Sequence, residues 1–284
     1  MSQIPMVAER PNGQLLKWVG NKYRFAYDIV EYFPSEYSKF IEPFVGTGAI
    51  IGTLSPNRGI GGDTLEPLIE IWHHLQERPE LLTSHYEKVI NEYNEEPDRV
   101  YNRVLDRFNE EPNGLDLVIL SRTCYGGVVR FTKDGRMSTP RGPHNPISPE
   151  SFDRRVKSWR GHVHSVDFVN VPFEESMDLA KDGDLIYCDP PYVDTQAILY
   201  GSQEFDFDAL VRKMTECKDR GARIALSIDG TKKSGDRKVE LDFPDGLFER
   251  EVYIRGGSSM LRRFQSGGKT MVGEDVKDRL LLTY

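Results

Sequence analysis

Short apolar runs alternate along this chain with stretches of helical spacing, and that alternation constrains the fold more than any other feature. Residues 40–48 read as a strand entering a glycine turn, 49–54 as the start of a helix, and 59–63 as a second strand ending on an acid. Residues 162–168, 185–188, 223–228, 248–254 and 279–284 read as further strands. Between them, 174–180 and 206–220 read as helices, the second closed by Gly221. Strands separated by helices predict a parallel α/β sheet of Rossmann-like topology.

One stretch interrupts the alternation. Residues 67–75, 81–94, 99–108 and 115–124 have helical apolar spacing. Residues 125–149 are rich in Gly, Pro, Arg and Thr, and Lys133-Asp134-Gly135-Arg136 has the chemistry of a hairpin turn. A helix follows over 149–159, with Ser148 or Ser151 as its cap. This segment is too long for an ordinary connection. We therefore divide the chain into a catalytic unit, 1–74 and 161–284, and an inserted, mainly helical unit, 75–160. Residues 228–238 and 255–278 read as loops.

Of the 284 residues, 38% are hydrophobic, enough for a sizeable core. No apolar run approaches the roughly 18 residues needed to cross a bilayer, and residues 1–14 lack the apolar stretch of a secretion signal. The expectation is a cytoplasmic protein. Three widely spaced cysteines suggest neither a disulfide framework nor a metal site, and the six histidines lack zinc-binding spacing. The net charge of −8 is unevenly spread: residues 122–160 hold nine Lys/Arg against three Asp/Glu, and 255–269 hold four basic residues and no acid. The charge fits either a cationic face on an acidic protein or ordinary solvated surface.

Three constellations carry chemistry. Phe44-Val45-Gly46-Thr47-Gly48-Ala49 follows a strand, and its glycines allow a tight turn or a close backbone approach to a ligand; alone it fits a structural turn equally well. Asp63, about fifteen residues on, is placed to accept hydrogen bonds from ribose hydroxyls. Taken with the glycine turn, this reading is preferred over a surface turn acid. Third, Asp189-Pro190-Pro191-Tyr192 follows an apolar strand. Proline cannot donate to a sheet ladder, so the strand must stop there on a stiff, extended backbone. The Asp189 carboxylate and the Pro190 carbonyl can then offer two acceptors to one –NH₂ group, with Tyr192 as a face for a flat base. Alone, the motif also fits a capped loop with a buried tyrosine, a reading its place after an apolar strand and the glycine turn disfavours.

In that order, these motifs resemble the Dam-type DNA adenine methyltransferases over nearly the whole length. Residues 17–22 resemble the family's N-terminal cofactor motif, with Asn21 where a second glycine is usual. Residues 42–48 match its glycine motif, and residues 124–130 with 140–142 resemble its DNA-reading part. The resemblance implies a Rossmann-like, S-adenosylmethionine-dependent methyltransferase sheet with an inserted, mainly helical DNA-recognition unit. It implies methyl transfer from S-adenosylmethionine to the N6 amino group of an adenine flipped from duplex DNA, without a metal. It assigns catalysis to Asp189, Pro190, Pro191 and Tyr192. Trp18, Lys22, Glu42, Phe44, Gly46, Gly48, Asp63 and Asp189 would meet the cofactor. Phe173 is assigned by spacing to hold its adenine, with Asp167 or Asn170 as candidates for a polar contact. Arg122, Tyr125, Arg130, Lys133, Arg136 and Arg141 would meet DNA. A cognate restriction endonuclease acting separately is a partner the same context implies. The rivals are a cytosine-N4 methyltransferase, where Ser more often replaces Asp189, a protein-glutamine or RNA methyltransferase, where Asn does, and a DNA-binding module without catalysis.

Overall fold

The computed structural model describes residues 10–191, 205–229, 243–256 and 276–284. Within them a seven-stranded sheet comprises β1 (Phe40–Glu42), β2 (Gly59–Gly62), β3 (Val166–Val169), β4 (Leu185–Cys188), β5 (Arg223–Asp229), β6 (Arg250–Gly256) and β7 (Val276–Leu282). The strand order is β3-β2-β1-β4-β5-β7-β6. Strands β1 to β5 pair in parallel, and β7 runs antiparallel to both β5 and β6. At the centre, Ile41 sits in register with Ile60 on one side and Ile186 on the other.

The helices are α1 (Ala26–Val30), α2 (Ala49–Leu54), α3 (Glu66–Glu77), α4 (Pro79–Glu95), α5 (Pro97–Glu110), α6 (Gly114–Thr123), α7 (Pro149–Val163), α8 (Phe173–Asp178) and α9 (Phe207–Asp219). They cover both sheet faces, which explains why β1 and β4 are buried at every position. Side chains alternate across the pleat. Phe40, Leu185 and Tyr187 join one hydrophobic cluster with α1 to α7, whereas Ile41, Ile186 and Cys188 join the other with α8 and α9. Helices α3 to α7 thus share a continuous core with one face of the sheet.

Local chemistry sets the ends of these helices. Pro79 and Pro97 occupy the first turns of α4 and α5, where a missing N–H costs nothing. Ser148, rather than Ser151, caps α7: its side chain accepts from the Ser151 N–H. Asp206 caps α9 in the same way through Ala209, and Gly221 follows it at φ +90°.

The structure corrects three expectations. Residues 162 and 163 belong to α7 and not to a strand, because Val163 continues the helix's buried stripe of Phe152, Val156 and Trp159. The short turn Lys22–Arg24 and helix α1 add to the elements expected from the sequence. The expected loops are shorter at their described ends, since β5 reaches Asp229, β6 reaches Gly256 and β7 starts at Val276; residues 230–238 and 257–275 lie outside the described residues.

Candidate active site at the switch point of the sheet

From β1 the chain proceeds to β2 and β3 on one side, while β4 leads to β5 on the other. Connections leaving adjacent strands in opposite directions open a crevice at their carboxyl ends. A cavity of about 380 Å³ opens there, within the size range of ligand pockets. Its walls come from residues 18–22, 42–47, 49–50, 63–64, 172–174, 189–191 and 205–206.

The glycine turn forms the floor. Gly46 has φ +47° and Gly48 φ +63°, a region that favours glycine. Gly46 lines the cavity; Gly48 does not. A Cβ on Gly48 would lie 2.8 Å from the Trp72 ring, so this glycine serves close packing. Trp72 Nε1 donates to the Gly46 carbonyl at 3.3 Å, and the Trp72 ring stacks on Phe168.

Asp63 is locked onto this turn. One carboxylate oxygen accepts from the Gly46 N–H at 3.1 Å and the other from the Leu65 N–H at 3.0 Å. Burial pushes its pKa up to about 6, against the opposing pull of the Leu65, Gly46 and Thr64 N–H groups. Glu42, at the end of β1, is 3% exposed and accepts from the Ile51 N–H at 2.9 Å. Burial raises its pKa well above the usual carboxylate range; the Ile51 N–H opposes this and nearby Asp189 adds to it.

Asp189 stands where β4 ends. Its Oδ1 lies 3.0 Å from Lys22 Nζ, with both side chains largely buried. Lys22 sits on the turn Lys22–Arg24, which Asn21 caps by accepting from the Tyr23 N–H at 2.7 Å. The residue that departs from the family pattern therefore secures the segment carrying Lys22. Pro190 and Pro191 complete this wall, and Tyr192 lies outside the described residues.

Phe44 and Phe173 meet at a centroid distance of 5.4 Å, and Phe205 packs on both at 5.7 and 5.6 Å. Phe205, Glu174 and Asp206 also line the cavity, outside every motif legible in the sequence. An isolated phenylalanine ahead of a helix cap carries no cue of its own. Asn170 donates to the Asp63 carbonyl at 2.9 Å and Asp167 is exposed; neither lines the cavity.

The expected hairpin is present. Phe131 bridges Met137, Cys124 bridges Arg141, and Gly135 turns the tip at φ +79°. Arg130, Lys133 and Arg136 are exposed on it, and Tyr125 at its base is 43% exposed. Arg141 is half-buried and paired with Asp98 at 2.5 Å. Arg122 is a correction. It is 4% exposed and donates to the Gln14 and Leu15 carbonyls, so it has no surface to offer DNA. Among the described residues, no group of three or more His, Cys, Asp or Glu is placed to hold a metal ion, and no helix is long and apolar enough to cross a membrane.

A sheet with this order and a cavity at its switch point is Rossmann-like. Residues 18–238 match the D12 class of N6 adenine-specific DNA methyltransferases. The chain belongs to this family, and its activity is the methylation of adenine in DNA. It is 26% identical over 226 residues to a DNA N-6-adenine-methyltransferase of Escherichia phage P1, a match covering 76% of this chain and 30% of that longer protein. It is 27% identical over 229 residues to a type II methyltransferase of Lactococcus lactis subsp. cremoris, covering 74% of this chain and 79% of the relative. A DNA adenine methylase of Vibrio cholerae is 25% identical over 239 residues, covering 76% of this chain and 81% of the relative.

Proposed function

We propose that the methyl donor is S-adenosylmethionine held in the cavity at the carboxyl ends of β1 and β4, and that the target adenine enters beside Asp189, flipped out of the duplex. The observation carrying this reading is the Lys22–Asp189 pair on the wall of a cavity whose floor is the Gly46 turn. The donor set suits the cofactor. Phe44 and Phe173 offer an apolar wall for its adenine, Asp63 an acceptor for its ribose, and Trp18, Lys22, Glu42 and the Gly46 turn a polar end for its methionine part. Bound there, it supplies an electrophilic methyl group that needs no further activation.

The protein's task is to hold and activate the amino group. That nitrogen's lone pair is delocalised into the purine ring, which makes it a weak nucleophile. Hydrogen bonds accepted by the Asp189 carboxylate and the Pro190 carbonyl draw it toward tetrahedral geometry and stabilise its growing positive charge. Alignment against the methyl group contributes much of the remaining acceleration. The amino proton leaves through Asp189 or water. Tyr192 is assigned to stack on the flipped base on family resemblance alone. Extruding the base costs on the order of a few kcal/mol, which DNA contacts must supply.

We assign those contacts to the hairpin within the 75–160 segment, with Arg130, Lys133 and Arg136 on its open surface and Tyr125 at its base. Its root lies near the cavity, because Gly127 packs against Lys17, next to Trp18. Substituting Arg130 or Arg136 by alanine should weaken DNA binding and lower the salt dependence of log K by about one for each phosphate no longer neutralised. Titrations at several salt concentrations measure this, and an unchanged slope and site preference in both variants would remove the hairpin from the interface. A separately acting endonuclease fits the type II designation of one relative, and the DNA substrate fits work in the cytoplasm of a bacterial or phage-infected cell.

Asp63 gives a direct test of the cofactor assignment. Ribose hydroxyls donate to the ionised carboxylate, whose pKa in the free protein is about 6. Affinity for S-adenosylmethionine should therefore weaken as pH falls through about 6, by up to about tenfold per unit. Calorimetric titration of the wild type and of Asp63→Asn should show a sloping profile in the first and a flatter one in the second. Identical profiles would place the ribose elsewhere.

A further inference from the structure

Arg122 and Arg155 converge on one stretch of backbone. Arg122 Nη1 donates to the Gln14 carbonyl at 3.0 Å and to the Leu15 carbonyl at 2.8 Å. From α7, Arg155 Nη1 donates to the same Gln14 carbonyl at 2.6 Å. Trp159, also on α7, donates to the Gly13 carbonyl at 2.8 Å. Gly13 has φ +71°, and a Cβ there would lie 2.9 Å from the Arg155 guanidinium, so the close approach needs glycine. Leu15 and Leu16 are buried in the core. The segment is thus fixed by its carbonyls and by its side chains.

Among the described residues, neither arginine has a carboxylate at ion-pair distance. A buried charge without an opposite charge is costly. Burial lowers the pKa of Arg122; nearby Tyr86 opposes this and Arg155 adds to it. Apolar packing between α6, α7 and the segment would avoid that cost but would not fix the carbonyls. The Nη1 hydrogens of a planar guanidinium point at two carbonyls in fixed directions, whereas a lysine ammonium offers rotatable donors that hold no set geometry. Trp18, on the cavity wall, stands three residues after Leu15, and Lys22 pairs with Asp189 on the same wall.

We propose that Arg122 and Arg155 are positioning residues for the cofactor: from helices α6 and α7 they fix residues 13–15, and through them the Trp18–Lys22 wall of the cavity. This inference rests on the cavity being the S-adenosylmethionine site. It also gives Arg122 a role that its burial allows and a DNA contact does not.

The test uses the full chain with Arg155→Gln, Arg155→Lys and Arg122→Lys, and Lys22→Ala as the reference for the cavity itself. Melting temperature, KM for S-adenosylmethionine, kcat at saturating cofactor and Kd for DNA are measured for each. Arg155→Gln and Arg122→Lys should raise KM for the cofactor about tenfold while leaving kcat within about threefold and DNA affinity within about twofold. Arg155→Lys should recover part of the loss. Arg155 is only half-buried, so its variants decide the matter if Arg122→Lys fails to fold. Folded arginine variants with a wild-type KM would overturn the inference, as would a loss of DNA affinity with KM unchanged. If Lys22→Ala raises KM and the arginine variants do not, the positioning role alone fails. If Lys22→Ala also leaves KM unchanged, the cavity reading fails and takes this inference with it.

Discussion

Asp189→Ala should reduce kcat for methyl transfer by about 10²–10³-fold, the scale seen when a group that stabilises transition-state charge is removed. The variant loses the carboxylate that accepts from the amino group, and the Pro190 carbonyl alone cannot hold both amino hydrogens. Binding of DNA and S-adenosylmethionine should survive, because Asp63, Phe44, Phe173 and the hairpin are untouched. The partner of Lys22 Nζ at 3.0 Å is also removed, so Asp189→Asn serves as the control that keeps the shape of the site. Single-turnover assays with labelled cofactor measure the rate, and near-normal turnover of the alanine variant would move catalysis away from this loop.

The largest expected effect on stability lies beneath the cofactor turn. Trp72 is fully buried, stacks on Phe168 at 5.1 Å and meets Trp159 at 5.6 Å. Trp72→Ala should cost about 3–5 kcal/mol, from the apolar surface no longer buried and the cavity left behind. For a chain of this size that corresponds to a fall in Tm of roughly 10 °C. The same ring supports both sides of the turn, donating to the Gly46 carbonyl and packing under Gly48. Cofactor affinity should therefore fall as well, in protein that is still folded. Calorimetry with and without S-adenosylmethionine measures both effects, and a loss below about 1 kcal/mol would contradict this packing account.

The sheet is legible in the sequence where burial dictates composition. β1 and β4 are covered on both faces and read as continuous, mainly apolar runs, and the prolines after Cys188 mark where β4 has to stop. The glycine turn, Asp63 and Asp189 are legible because a tight turn, a strand-end acid and a proline-stiffened loop each restrict residue type. Other features are hidden for physical reasons. An arginine buried against backbone carbonyls looks the same in sequence as one on a cationic surface, so the sequence places Arg122 at the DNA. Gly48 reads as a cofactor residue because a glycine needed for close approach to a tryptophan looks like one needed for a ligand. Val163 fits a strand pattern and a helix stripe equally, and only its packing with Trp159 and Val156 decides. Phe205 reaches the cavity through tertiary folding, and no local pattern records that.

The most direct test of the central claim is nucleoside analysis of DNA incubated with the protein and methyl-labelled S-adenosylmethionine, run beside Asp189→Ala at matched cofactor occupancy. The wild type should place label in N6-methyladenine, and the variant at least about a hundredfold less in the same time. Label on cytosine, no label at all, or equal labelling by the two proteins would contradict the claim.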